Sequence, residues 1–229
     1  MKRRLVYLVS GVYILVSTIA LMAFAFGGEE LKTKEAFDFT GTWKIAARVD
    51  FGVATVNDKE FMSFEDDSAS YDLLDAKSTH YQSKYQADAT TLELPDLSKS
   101  YRYEAYTDNY VRLYESKDVC LEVIRYPNKD LGPQDISGED ILQGKWTLAY
   151  RRSDAPYSNQ YLLFEQNKLS LYMDGDEKPV LSAGFVWEDT QTLRVDELSM
   201  RMHLRPLDEQ TIFFVEDGNG YIWELHKRD

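Results

Sequence analysis

Among 229 residues there is one cysteine, Cys120, so no intrachain disulfide can brace the fold. Its alternating apolar context predicts a small buried residue. The three histidines, His80, His203 and His226, share no ligand spacing with one another or with the cysteine, which argues against a zinc site. No G-x-S-x-G motif, no glycine-rich phosphate loop and no Cys/His pairing occurs. The acidic runs Glu65-Asp66-Asp67 and Asp174-Gly175-Asp176-Glu177 do not match a calcium loop and read as solvated turn charge. Positive charge is also scarce. Twenty-six Lys and Arg face 39 Asp and Glu, for a net charge of −13. Lys2, Arg3 and Arg4 hold three of those cations, so the remainder is more acidic still. Such a body repels phosphate backbones, which excludes nucleic acid as a partner. Catalytic, cofactor-binding and metal residues are all expected to be absent, and the chain is expected not to be an enzyme.

One long hydrophobic run is present. After Lys2-Arg3-Arg4, residues Leu5 to Phe26 carry no charge, and 22 residues suffice to cross a bilayer as a helix. The basic flank would keep the amino terminus in the cytoplasm and place the rest outside. A cleaved signal peptide is the alternative, since Ala23-Phe24-Ala25 fits a cleavage site. The run exceeds the usual signal length, and Phe24 and Phe26 carry it past that site, so an anchor in a bacterial inner membrane is the first expectation. A secreted or periplasmic product cut near Ala25 is the second. No cysteine follows the run, which excludes a lipid anchor there, and no Asn-x-Ser/Thr sequon occurs.

What dominates the remainder is an internal repeat. Gly41-Thr42-Trp43-Lys44 returns as Gly144-Lys145-Trp146-Thr147, and Phe61 to Glu65 as Tyr161 to Glu165. Thr91 to Leu94 returns as Thr192 to Val195, Tyr110 to Leu113 as Thr211 to Phe214, and Leu121 to Arg125 as Ile222 to His226. A module of about 90 residues that recurs must bury its own core twice. The chain therefore divides into residues 1–28 (anchor or signal), 29–36 (spacer), 37–126 (first repeat), 127–140 (a Pro/Gly-containing linker) and 141–229 (second repeat).

Within each repeat the apolar positions alternate. Trp43, Ile45, Ala47 and Val49 alternate with Lys44, Ala46 and Arg48; Trp146, Leu148 and Tyr150 do the same against Lys145, Thr147 and Arg151. Period two marks half-buried strands. Turn signals cut the second repeat into eight strands, beginning near Lys145, Gln160, Leu169, Leu181, Thr192, Met200, Thr211 and Tyr221. Asp174-Gly175 and Asp217-Gly218 supply hairpin tips. Eight short antiparallel strands without room for crossover helices predict an all-β fold of two tandem up-and-down barrels or strongly curved sheets. Large apolar residues at the inward positions predict filled interiors.

Three short signatures carry a family resemblance. Gly41-Thr42-Trp43 opens the first repeat, Thr107-Asp108-Asn109-Tyr110 sits between its sixth and seventh strands, and Arg125 lies in its last strand. In that order they resemble the lipocalin (calycin) barrels. The resemblance implies that Trp43 plugs a closed barrel end, that Arg125 packs across it, and that Gly41, Thr107 and Asp108 are structural. The second repeat keeps Gly144 and Trp146 but has Leu207-Asp208-Glu209 for the middle signature and His226 in the arginine slot. At about 90 residues each repeat is shorter than a typical lipocalin, with no room for a long lid or terminal helix.

Sixteen tyrosines are the remaining compositional signal. Alternation cannot turn all of them inward, so Tyr81, Tyr85, Tyr103 and Tyr106 are candidate contacts for a partner. Two functions follow as expectations. The first is a membrane-tethered, extracytoplasmic, non-catalytic protein that engages a protein partner as an inhibitor, immunity protein or envelope-complex accessory. The second is a carrier of a small hydrophobic ligand in a barrel cavity.

Overall fold

The alternating segments of the first repeat become ten strands in the computed structural model, which describes residues 35–57, 59–73, 80–127, 137–151 and 160–228. They are β1 (Gly41–Asp50), β2 (Val53–Val56), β3 (Glu60–Glu65), β4 (Ser68–Leu73), β5 (His80–Lys84), β6 (Gln86–Ala87), β7 (Thr91–Leu94), β8 (Lys99–Thr107), β9 (Tyr110–Tyr114) and β10 (Val119–Tyr126). After a short helix α1 (Gly138–Leu142) come β11 (Gly144–Arg151), β12 (Gln160–Glu165), β13 (Lys168–Met173), β14 (Leu181–Gly184), β15 (Val186–Trp187), β16 (Thr192–Val195), β17 (Met200–Pro206), β18 (Thr211–Glu216) and β19 (Ile222–Arg228). The run Leu5–Phe26 and residues 128–136 of the linker lie outside the described residues. Among the described residues no helix is long and apolar enough to cross a membrane. Helix α1 begins inside the span read as linker.

Each half forms one antiparallel sheet of the same order. The first runs β5-β4-β3-β1-β10-β9-β8-β7-β6, with β2 paired to β1; the second runs β14-β13-β12-β11-β19-β18-β17-β16-β15. The outermost strands of each list are neighbours in the chain, so both sheets curl into nearly closed barrels. The expected count of eight strands per repeat is corrected to nine, plus β2 in the first. The reason is a bend in one strand. At Tyr85 and Phe185 the amide still bonds backward, to the carbonyls of Asp67 (3.0 Å) and Asn167 (2.9 Å), and the next residues pair forward with β7 and β16. A single straight strand cannot serve both neighbours around so tight a barrel, so it breaks in two, with Tyr85 against Phe64 and Phe185 against Phe164.

Local geometry repeats as well. Gly41 and Gly144 share φ +109°, a region that disfavours a Cβ. A register shift interrupts the first strand of each barrel, between Ile45 and Ala47 and between Leu148 and Tyr150. The 3₁₀ turns Pro95–Leu97 and Asp196–Leu198 each end on a left-handed serine, Ser98 and Ser199.

The barrels join through their outer faces. Ala46, Ala47, Tyr110 and Ile124 of the first pack with Phe213, Val215 and Ile222 of the second. Strand β2 adds a backbone bond, Ala54 N to Gly218 O at 2.9 Å. Gly220 (φ +67°) passes so close that a Cβ there would lie 2.7 Å from that of Ala54. Two glutamates at equivalent register positions, Glu122 opposite Ala47 and Glu224 opposite Tyr150, are buried at this joint. Buried carboxylates need partners, and each has a different set. Glu122 receives Arg112 Nε at 2.9 Å and the Tyr110 hydroxyl. Glu224 receives Asn109 Nδ2 (3.1 Å) and the Thr107 hydroxyl from the other barrel. The middle signature of the first repeat thus also fastens the two barrels together.

Candidate functional site

The two ends of the first barrel differ. At the end where β1 starts, Trp43 is fully buried and donates Nε1 to the carbonyl of Phe39. Arg125 lies opposite it in register, with its guanidinium carbon 4.4 Å from the ring centroid. That guanidinium donates to the carbonyls of Thr40 (2.7 Å), Asp108 (3.3 Å) and Asp38 (3.4 Å). One side chain therefore ties together the chain entry, the Thr107–Asp108 turn and the plugging tryptophan. Both sheets are nearly closed antiparallel barrels. In the second, Trp146 is fully buried and donates to Leu142 O at 2.8 Å, which assigns α1 the role of the segment around Phe39. Its cation is Lys227, not His226 as the sequence comparison predicted. Lys227 pairs with Trp146 in register and holds its ammonium 5.4 Å from the ring, while His226 turns to Glu224 at 2.8 Å. The shift is one residue.

No family model matches the chain, and no curated protein matches it. Among solved structures it is similar to the crystal structure of a lipocalin-like protein from Bacteroides uniformis, at 12% identity and a TM-score of 0.33, covering 38% of this chain and 98% of that one.

At the opposite, open end of the first barrel the expected filled interior gives way to a cavity of about 420 Å³, within the range of small-molecule sites. Ile45, Met62, Leu94, Leu97 and Leu121 form its apolar depth. Around the mouth stand Tyr71, Tyr81 and Tyr101 with Arg48, Glu60, Lys99 and Glu115. Strand ends supply nearly all of these, so the barrel itself positions the site. Glu115 accepts Arg48 at 2.8 Å and Lys99 at 3.4 Å. Burial alone would raise its pKa, but the Arg48 bond and the two positive charges outweigh it and hold the carboxyl below its ordinary value. Tyr71 donates to Glu60, and burial followed by that bond pushes its own pKa well up. Burial, with the charge of Glu115 behind it, pushes the Tyr101 hydroxyl up to about 12. At pH 7 Tyr71 and Tyr101 are neutral donors and acceptors.

Of the four candidate contact tyrosines, Tyr81 is exposed (48%) and lies on the cavity rim. Tyr103 is corrected to an interior residue. It is 5% exposed, and its hydroxyl joins Asp88 O to Phe37 N at the closed end. Tyr85 packs inward on Phe64. The bulge between Ala105 and Thr107 turns Tyr106 toward the joint, where it stacks on Tyr110 at 5.1 Å. Cys120 is buried, and among the described residues no cluster of three or more His, Cys, Asp or Glu could hold a metal.

Sequence reasoning passed over the cavity residues, although the repeat held a signal. Register equates Glu60, Tyr71, Tyr81 and Tyr101 with Gln160, Leu171, Leu181 and Met202 of the second barrel. These positions are polar or aromatic in the first copy and mostly aliphatic in the second.

Proposed function

We propose that this chain is a non-catalytic binding protein that takes a small amphipathic molecule into the open end of its first barrel. The observation that carries this reading is the cavity of the first barrel, apolar in depth and polar at its mouth. Apolar walls supply affinity through burial, and a few placed polar groups set orientation. Leu97, partly buried on the cavity wall, offers the test. Leu97→Trp should fill the space, abolish ligand binding and leave the melting temperature within a few degrees of the parent. Native mass spectrometry of protein purified without added ligand should show a small bound molecule on the parent and none on the variant. An apo mass for both, together with no binding from a lipid and metabolite panel, would remove the reading.

A protein partner is the second reading, favoured by Phe51 (80% exposed) and Val53 (66%), which sit on the turn between β1 and β2 with Phe51 in the left-handed region. An apolar residue held outward suits a contact with another protein. Membrane anchoring through Leu5–Phe26 would set either activity outside a bacterial inner membrane. Retention in the membrane pellet through carbonate washing is the result expected for that anchor, and release into the supernatant would rule it out.

A further inference from the structure

The charges at the cavity mouth pair unevenly. Arg48 and Lys99 both turn to Glu115, and Arg48 also meets Asp50 at 3.2 Å. Glu60 is bonded to the Tyr71 hydroxyl, and among the described residues no cationic side chain pairs with it. Glu60 is therefore a lining carboxylate left without a cation, in a chain whose net charge of −13 already draws positive solutes.

Tyrosine rings surround that uncompensated carboxylate. Tyr71 and Tyr81 stand with centroids 6.3 Å apart and planes tilted 47°, and Tyr101 lines the same mouth. Tyr101 is the independent pointer to a ligand. It is 5% exposed, it lines the cavity, and its hydroxyl makes no hydrogen bond among the described residues. That hydroxyl is open to the cavity, so it can bond a molecule seated there. Aromatic faces beside a carboxylate attract ammonium groups, and the attraction grows as water is displaced. A hydroxyl oxygen and a carboxylate can both accept N–H bonds, which a quaternary ammonium lacks.

We propose that the molecule bound in the first barrel carries a primary or secondary ammonium head, seated between Glu60, Tyr101 and the Tyr71–Tyr81 pair, on an apolar body that fills the aliphatic depth. This rests on the cavity being a ligand site, as argued above. An anionic head is disfavoured because Arg48 and Lys99 are already engaged by Glu115, and a carboxylate would face Glu60.

Isothermal titration of the full chain with octylammonium, octanol and octanoate separates the claims, because the three share a tail. Octylammonium should bind about tenfold tighter than octanol, the order expected of one charge-assisted hydrogen bond. In Glu60→Gln that preference should vanish while octanol affinity stays within about twofold, which also corrects for nonspecific partitioning. Tyr101→Phe should weaken octylammonium more than octanol. Equal binding of octylammonium and octanol by the parent would overturn the ammonium head and leave the cavity reading intact. Tighter octanoate would overturn it in favour of recognition by Arg48 and Lys99. No binding of any of the three would overturn both readings. The ligand series on the parent protein decides the matter even if a variant misfolds.

Discussion

Replacing Trp43 with alanine should cost about 3–5 kcal/mol of unfolding free energy, the usual price of deleting a fully buried large aromatic. The ring touches Phe37 and Phe39, carries Arg125 across its outer face, and satisfies the Phe39 carbonyl. Its loss opens a cavity and removes the surface on which Arg125 holds Thr40 and Asp108. Since domains are commonly stable by 5–15 kcal/mol, the variant should melt far below the parent or fail to fold. Trp146→Ala should behave alike, because that ring is also fully buried and bonded to Leu142. Denaturant unfolding followed by circular dichroism measures both. A loss under about 1 kcal/mol in either would show that the ring is peripheral and that the closed-end plug does not hold the barrel.

Arg112→Met is expected to destabilise by a comparable amount for a different reason. Arg112 and Glu122 are 3% and 0% exposed at the side chain, and the apolar joint between barrels covers them. Removing one member of a buried pair strands the other's charge and costs about 3–5 kcal/mol. The second change Glu122→Gln removes that charge but keeps an acceptor for the Tyr110 hydroxyl. The double variant should therefore recover roughly half of the loss or more, a coupling visible in a double-mutant cycle. Salt should leave the cycle unchanged, because ions do not reach the pair. A double variant no more stable than Arg112→Met alone would mean that packing volume, not charge, accounts for the loss.

The strand plan was largely readable from the chain. Starts read near Gln160, Leu181, Thr192, Met200 and Thr211 coincide with those of β12, β14, β16, β17 and β18. Alternation succeeds there because each strand has one face on a private core and the period of side chains is two. The extra strand escaped because a bend that changes partners leaves no turn residues: Lys84-Tyr85-Gln86 and Gly184-Phe185-Val186 read as continuous strand. Lys227 was missed because aligning the copies allows a one-residue slip in the last strand, whereas hydrogen bonding to Trp146 does not. Tyr103 was misplaced because a tyrosine tolerates either face, and the Asp88 and Phe37 groups that satisfy its hydroxyl lie far from it in sequence.

Composition, repeat and alternation by themselves determined the all-β class, the two-barrel plan, the buried tryptophans and the absence of recognisable catalytic motifs, because each depends on local pattern or on residue type alone. Tertiary structure decided the rest. Alternation marks Glu122 and Glu224 as outward, hence solvated, yet both are buried because a second barrel covers that face. Tyr71, Tyr101 and Glu60 come from strands far apart in the chain, and only closure of the sheet brings them around one mouth. A cavity is the volume that packed side chains fail to fill, so it is a property of their sum and is written at no single position.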